Sequence, residues 1–491
     1  MKSVAIVGGG TAGLVFALLL RDKYPTYKIQ IIKSDDIGII GVGEGSTEHW
    51  KRFIDVVNIN VIELIQQTRA TIKIGILFKD WDPKFNLYAH SVGFCDFTKH
   101  GRFDSILNLA IKNRDSRFAT NKPFENIYLK NNVNVDNHLH NVPSNQFHFD
   151  TFKLNTYLLD KCSLRNISIT NDKVIDVILN DKGYVKKLKL EKNSEIEADF
   201  FVDCTGFKRV VASKTDVKWI SKKKHLPMNH AIAFPTEHYE DNFEPYTLSQ
   251  AMKNGWVWKI PTQDRYGNGY VFCDDFINSE HALQEFNQKF KTKIDSPARD
   301  IKFEAGHVDK FWNKNVLCVG LSSSFAEPLE AQSIGFTIVQ SLCFLNMLDS
   351  WFVDPEKATL KYNLDMTKGY QNVVDFLQLH YFVNRNDSEF WKSKIIEPTD
   401  FLKENLPLMS KGIYDMFHGI DGRYNMFNSI NFFQVVHGIG MLDTQYLEYL
   451  LSTNTQDFIQ HLDNICHQLS SPPKFVARHK DYLDFINKVQ I

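Results

Sequence analysis

"VAIVGGGTAGL", residues 4–14, sets a β-rich run directly against three consecutive glycines and follows them with a helix-forming stretch. The spacing is GxGxxG, at Gly8, Gly10 and Gly13, with Thr11 and Ala12 inside the turn. Glycine is needed at such a place for a tight turn and for close approach of the backbone to a pyrophosphate at the helix N-terminus. Glycines also make ordinary turns, so the surroundings decide. Residues 3–7 predict a strand, 11–23 a helix and "YKIQIIK" (27–33) a second strand, which makes a βαβ opening. One position departs from the pattern. Lys33 stands where a ribose-binding acid is expected, which leaves the ribose to Ser34, Asp35 or backbone.

The rest of the chain bounds the problem. Its 491 residues are 43% hydrophobic and 23% charged, with a net charge of −1, so neither disorder nor a nucleic-acid or polybasic membrane surface is indicated. Seven dispersed cysteines without a CxxC pair point to free thiols in a reducing compartment. The apolar start could pass for a signal peptide, but its central glycines and the strand that follows favour a cytoplasmic βαβ unit. No run is long and apolar enough to span a membrane. His138 and His140 lie near Asp136 without further spaced ligands, so no metal is expected.

Without repeats or linkers, the chain reads as one intertwined unit. Short β-branched runs mix with helices up to about residue 320, and from roughly 334 onward the pattern is mostly helical. The expected division is a cofactor-binding core over 1–335, entwined with substrate-binding segments around 80–150, and a mainly helical substrate-binding part over 336–491. "GVGEGST" (41–47) is a second glycine-rich loop, and "DFFVDCTGFK" (199–208) is a strand ending in Asp-x-Thr-Gly, as in FAD-dependent aromatic hydroxylases. With no second GxGxxG for a nicotinamide nucleotide, a reduced flavin would come from elsewhere.

"GGGTAG" (8–13), "GVGE" (41–44), "GWVWKIP" (255–261), "GNGYVF" (267–272), "GLSSSFAEPLE" (320–330) and "LHYFVNRNDSEFW" (379–391) together resemble the flavin-dependent halogenases of the tryptophan-halogenase type, in that family's order. The resemblance implies an α/β fold: a Rossmann-like FAD domain of the aromatic-hydroxylase type with mixed sheets, plus a mainly helical substrate-binding part. It implies FAD at Gly8, Gly10, Thr11, Ala12, Gly13, Ser34, Val42, Gly43, Glu44, Gly45, Leu321 and Ile334. FADH2 would come from a separate NAD(P)H-dependent flavin reductase. A flavin hydroperoxide would oxidise halide to hypohalous acid, which passes to a separate aromatic substrate. A homo-oligomer stays open.

The resemblance also assigns roles. Trp256 and Trp258 would keep the organic substrate from the flavin, and in an extended segment they share one face; a core strand carrying two aromatics is the alternative. Lys73, in "TIKIGILFKDW" (71–81), matches the family's essential lysine, with Lys79 as its natural control. Its face alternates with that of Ile72, Ile74, Ile76 and Phe78, and a solvent-facing strand lysine is the ordinary outcome. Glu330 matches the essential glutamate, although a helix start favours an acid there anyway. Ala331, Gln332 and Ser333 replace the more usual Ser-Thr-Gly, and halide is expected on the backbone at Gln332 and Ser333, with bromide and iodide ahead of chloride. His90 and Phe427 are expected at the substrate. Val92 replaces a second aromatic and Gly422 an ammonium-binding acid, so an indole, phenol or similar electron-rich aromatic is expected rather than free tryptophan. An aromatic monooxygenase and a non-catalytic FAD-binding protein are the alternatives.

Overall fold

The computed structural model describes residues 2–39, 44–83, 86–91, 128–135, 142, 144–238, 241–393, 395–411, 413, 422–443, 445, 448–449, 452–453, 455–470 and 475–490. Val42, Gly43, Val92, Cys95, His138 and His140 lie outside these residues.

The βαβ opening forms as expected. The strand Ser3–Val7 leads through the glycines into the helix Thr11–Lys23 and back to the strand Lys28–Lys33, parallel to the first. Every residue of that helix from Gly13 to Leu20 is buried, and Arg21 and Lys23 close its last turn, where cations suit the helix dipole. The six-stranded sheet runs in the order Trp312–Asn313, Val316–Cys318, Phe200–Asp203, Ser3–Val7, Lys28–Lys33, Ser168–Asn171. Four of its five pairings are parallel, the Trp312–Asn313 edge being antiparallel, so Gly8, Cys204 and Val319 emerge side by side at the carboxyl ends of three neighbouring strands. That crevice is where an open α/β sheet binds its ligand.

A seven-stranded sheet carries the other motifs. Its order is Arg299–Lys302, His230–Thr236, Tyr266–Phe272, Gly255–Pro261, Thr247–Met252, Gly75–Lys79, Leu87–Ser91. All neighbours are antiparallel except Gly75–Lys79, which runs parallel to Thr247–Met252. The helix Gln332–Trp351 packs on Thr11–Lys23 and on the long helix Pro355–Leu379, while Ser429–Gly438 packs on Leu87–Ser91. Among the described residues beyond 334 the chain is mostly helical, with one strand, Val476–Arg478, which pairs back to Asn132–Asn134. Sheets and helices share one large apolar core. Among the described residues no helix is long and apolar enough to cross a membrane.

Candidate active site

The glycine turn is built from close contacts. Gly8 has φ +116°, and a Cβ there would lie 2.3 Å from the Cys204 carbonyl oxygen; one on Gly13 would lie 2.1 Å from the Gly8 oxygen. Gly10 is different, since a Cβ there meets nothing within 4 Å. It is the N-cap of Thr11–Lys23, and no side chain among the described residues caps that helix. An anion fits there. Asp203 ties the neighbouring loop down. Its two oxygens accept from Thr205 N (2.9 Å) and Oγ1 (2.6 Å), and from Val211 N (2.8 Å) and Ala212 N (2.9 Å). The Asp of the Asp-x-Thr-Gly stretch is therefore a loop clamp. Ser322 Oγ donates to its carbonyl oxygen, which fastens the Gly320–Ser322 turn carrying Leu321 to the same strand end.

Glu44 lies half-buried beside Thr11, and its removal from water pushes its carboxyl up to about 7 against a hydrogen bond from Thr11. A Cβ on Gly320 would touch Ala12 at 2.6 Å, so turn and loop meet there. At the ribose end Lys33 packs on Gly9 and pairs with Asp35. The Asp35 backbone N–H donates to Asn171 Oδ1 at 3.1 Å, and the Asn171 amide donates to the Asp35 carboxylate. Ser34 begins the turn that Ile37 N closes.

Lys73 is not a solvent-facing strand lysine. It lies in the break between Thr71–Ile72 and Gly75–Lys79, is 1% exposed, and donates from Nζ to Ser46 O at 2.8 Å. Its backbone is fixed on both sides, by Lys73 N to Gln146 O (2.9 Å) and by Ser144 Oγ to Lys73 O (2.6 Å). The alternation predicted around it holds, for Ile72, Ile74, Ile76 and Phe78 all enter the main core, and Lys79 is exposed. Burial, the largest influence, pushes the Lys73 ammonium down to about 8, while the carboxylates of Glu330 and Glu48 pull the other way. Gly45 is the spacer between the two chains, since a Cβ on it would stand 3.2 Å from Lys73 Nζ and 3.3 Å from Ala331 Cβ.

Glu330, one residue before Ala331, is 3% exposed. His90 Nδ1 lies 2.8 Å from its Oε2 and His380 Nε2 lies 3.0 Å from its Oε1, the second contact being out of line for a hydrogen bond. Burial would raise this carboxyl, but the hydrogen bond from His90 and the closeness of His380 outweigh it and hold the group below the usual carboxylate range. His380, pushed down by its burial, continues through Nδ1 to the Tyr88 hydroxyl at 2.8 Å. His90 Nε2 faces Asn431 Nδ2 at 3.0 Å. Phe427 stacks on Phe376 with centroids 3.9 Å apart, and both rings flank His90, at 6.4 and 5.2 Å. A Cβ on Gly422 would stand 3.2 Å from the Asn425 side chain.

Ala331 sits in the left-handed region, φ +52°, as N-cap of Gln332–Trp351, again with no side-chain cap. A backbone so held is the kind of strain that gathers at functional sites. A cavity of about 20 Å³ opens beside this helix start, mostly apolar, lined by Phe325, Phe336 and Val373 as well as Gln332, Ser333 and Gln340. It has room for about one water-sized occupant. Gln332 Nε2 donates to Glu327 O at 2.9 Å, and Ile334, in the first turn, is buried.

Trp256 and Trp258 project to one side of Gly255–Pro261, into the main core, with centroids 6.2 Å apart; Val257 between them enters a separate cluster. The glycines of "GNGYVF" make this arrangement possible. A Cβ on Gly269, the cross-strand partner of Trp258, would fall 2.0 Å from the Trp258 ring. Thr71 Oγ1 donates to Pro261 O at 2.6 Å, which joins the tryptophan strand to the segment of Lys73. Glu327 and Tyr381 complete this side. The Tyr381 hydroxyl lies 2.7 and 2.8 Å from the two oxygens of Glu327, which is wholly buried and raised by burial to about 8.

The sequence profile described as tryptophan halogenase matches residues 3–454. The chain belongs to the tryptophan halogenase family. It is 26% identical to tryptophan 6-halogenase ThaL of Streptomyces albogriseolus over 491 aligned positions, 90% of each chain. It is likewise 26% identical to tryptophan 7-halogenase RebH of Lentzea aerocolonigenes, again over 90% of both chains. The solved structure of Tar14, a tryptophan C-6 flavin-dependent halogenase (chlorinase) from taromycin biosynthesis, superposes with a TM-score of 0.85 at 25% identity, covering 99% of this chain and all of the other.

This flavin-dependent halogenase uses FADH2 and halide, with the reduced flavin supplied by a separate reductase. The open space at Gly10 and the lack of a side-chain cap on the helix that follows are features that suit a pyrophosphate such as that of FAD. Of the residues the sequence singled out, the fold draws Lys73, Gly45, Glu330, His90 and Phe427 into one buried cluster, and keeps Gly8 to Gly13, Glu44 and Leu321 at the sheet crevice. The sequence reading missed His380, Tyr88, Asn431 and Glu327. His380 and Tyr381 lie in the quoted "LHYFVNRNDSEFW" and Glu327 in "GLSSSFAEPLE", so the signal was present without a role attached. Tyr88 lies two residues from His90 and Asn431 four from Phe427, again without a role attached.

Proposed function

We propose that this halogenase attacks an electron-rich aromatic of the indole or phenol type rather than free tryptophan, with Lys73 engaging the oxidant and Glu330 steadying the ring. Bound FADH2 with O2 supplies the oxidising power that turns halide into hypohalous acid. Halide would sit on the uncapped backbone of Gln332 and Ser333, where a cavity of about 20 Å³ matches a single ion. Larger halides shed water and are oxidised more easily, so bromide and iodide should outrun chloride. Trp256 and Trp258 would bar the organic substrate from the flavin while an ion passes.

The observation that carries this reading is the burial of Lys73 beside Glu330. With its ammonium pushed down to about 8, about a tenth of Lys73 is free amine at pH 7. Such an amine can accept the hypohalous proton or form a haloamine with release of water; the ammonium can donate to its oxygen. As halogen adds to carbon, positive charge grows on the ring, and Glu330 held as a carboxylate stabilises it. The buried walls of His90, Phe376 and Phe427 suit a flat aromatic, and no carboxylate stands at Gly422 to hold an amino-acid ammonium.

The test is one incubation with FAD, NADH, a flavin reductase and bromide over a panel of indoles, phenols, anilines and tryptophan, read by mass spectrometry. Bromination should survive added catalase and vanish in Lys73→Ala. Hydroxylated products would move the assignment to a monooxygenase. Tryptophan as the best substrate would reject the substrate class, and chloride winning an equimolar competition would reject the halide order.

A further inference from the structure

Electrophilic halogenation balances without a permanent base. In ArH + HOX → ArX + H2O the C–H and O–X bonds break, the C–X bond forms, and the ring proton ends on the departing hydroxide. A carboxylate that took that proton would lose its charge when the ring cation needs it.

The groups around Glu330 are arranged to prevent this. Asn428 N–H donates to Asn431 Oδ1 at 2.8 Å, within a capping box that opens the helix Ser429–Gly438. The Asn431 oxygen is thereby taken, so its NH2 group is what faces His90 Nε2. His90 must accept at Nε2, carry its hydrogen on Nδ1, and donate it to Glu330 Oε2. On the other side His380 Nε2 stands 3.0 Å from Glu330 Oε1, where a bare nitrogen would set lone pair against lone pair. With hydrogen on Nε2, a neutral His380 accepts at Nδ1, from the Tyr88 hydroxyl 2.8 Å away. Tyr88 is itself held fast. Its ring stacks on Phe78 at 4.6 Å and 3°, and a Cβ on Gly438 would lie 2.3 Å from it.

We infer that Tyr88 and Asn431 are positioning residues for halogenation, each fixing one histidine in the tautomer that faces Glu330 with an N–H, hydrogen-bonded from His90 and in close polar contact from His380, so that Glu330 serves as a permanent carboxylate and not as acceptor of the ring proton. The inference rests on the reading of Glu330 given above.

Protein labelled with [15N]histidine tests it, with His380 and His90 assigned by the loss of their signals in His380→Asn and His90→Asn. The wild type should show a pyridine-type Nδ1 on His380 and a pyridine-type Nε2 on His90. Tyr88→Phe keeps the stacked ring but removes the donor; His380 should lose its single tautomer and kcat should fall about tenfold with KM for the aromatic unchanged. Asn431→Asp sets a carboxylate against His90 Nε2 and should move the His90 hydrogen there, with a similar loss of kcat. Opposite tautomers in the wild type, or wild-type kcat in Tyr88→Phe, overturn the inference. The measurement on native protein stands even if a variant misfolds. Activity retained in Glu330→Gln would instead sink the underlying reading of Glu330, whatever the tautomers.

Discussion

Replacing Lys73 by methionine should make the protein more stable and inactive. The ammonium is buried, and a displacement from 10.5 to about 8 sets the scale of what holding it there costs the fold. At 1.36 kcal/mol per unit the displacement amounts to about 3 kcal/mol against the folded state. Methionine has similar reach and no charge, but it forfeits the hydrogen bond to Ser46 O, about 1 kcal/mol. Ser46 O is not stranded, because Gln146, with its amide turned so that Nε2 faces it at 3.0 Å, also donates there. The net gain at pH 7 is about 2 kcal/mol, or about 2 °C for 491 residues unfolding with ~2.1 cal/mol/K each.

The sign sets the pH dependence. A lysine with a lowered folded value destabilises the fold below that value, and the penalty fades as pH rises from about 8 toward 10.5. The advantage of Lys73→Met over wild type should therefore shrink by about 2 kcal/mol between pH 7 and pH 9.5. Denaturant unfolding of both proteins across that range is the assay. A destabilised variant, or an advantage that does not change with pH, would refute the picture of a strained buried ammonium.

Further outcomes are expected. Lys79→Ala, at the exposed end of the same segment, should keep wild-type bromination beside an inactive Lys73→Ala; equal loss in both would show that nearby positive charge is all that matters. Glu327→Gln should gain on wild type as pH rises from 4.5 toward 8, because burial lifts this carboxyl and ionising it costs more in the fold; flat difference curves in unfolding experiments would contradict this. Gly269→Ala drives a methyl into the Trp258 ring and should cost about 1–3 kcal/mol in denaturant unfolding, with loss of the normal tryptophan fluorescence. Asp203→Ala, which frees four hydrogen bonds in the loop beside the glycine turn, should weaken FAD retention at least tenfold in fluorescence titration; unchanged affinity would make the clamp irrelevant to the cofactor.

The βαβ unit and its glycine turn were legible in the sequence because their requirements are local. A strand of five residues, three glycines at fixed spacing and an apolar helix each depend on neighbours a few positions away, and the glycines were needed where the backbone turns or closes up. The same holds for the shared face of Trp256 and Trp258 and for the alternation about Lys73, which follow from the two-residue period of extended chain. What Lys73 becomes does not follow from that period. The same alternation describes an exposed lysine, and only packing of the Glu44–Gly45, Gln146 and Ala331 segments around it removes water and lowers its affinity for a proton. The environment of Glu330 is more distant still. His90, His380 and Tyr88 come from a strand and a helix some 290 residues apart, and Asn431 from a third element. Sequence determined which residues carry chemical groups and how each local segment is shaped. Tertiary structure alone decided which groups share a dry pocket, and desolvation with paired charge then set their protonation.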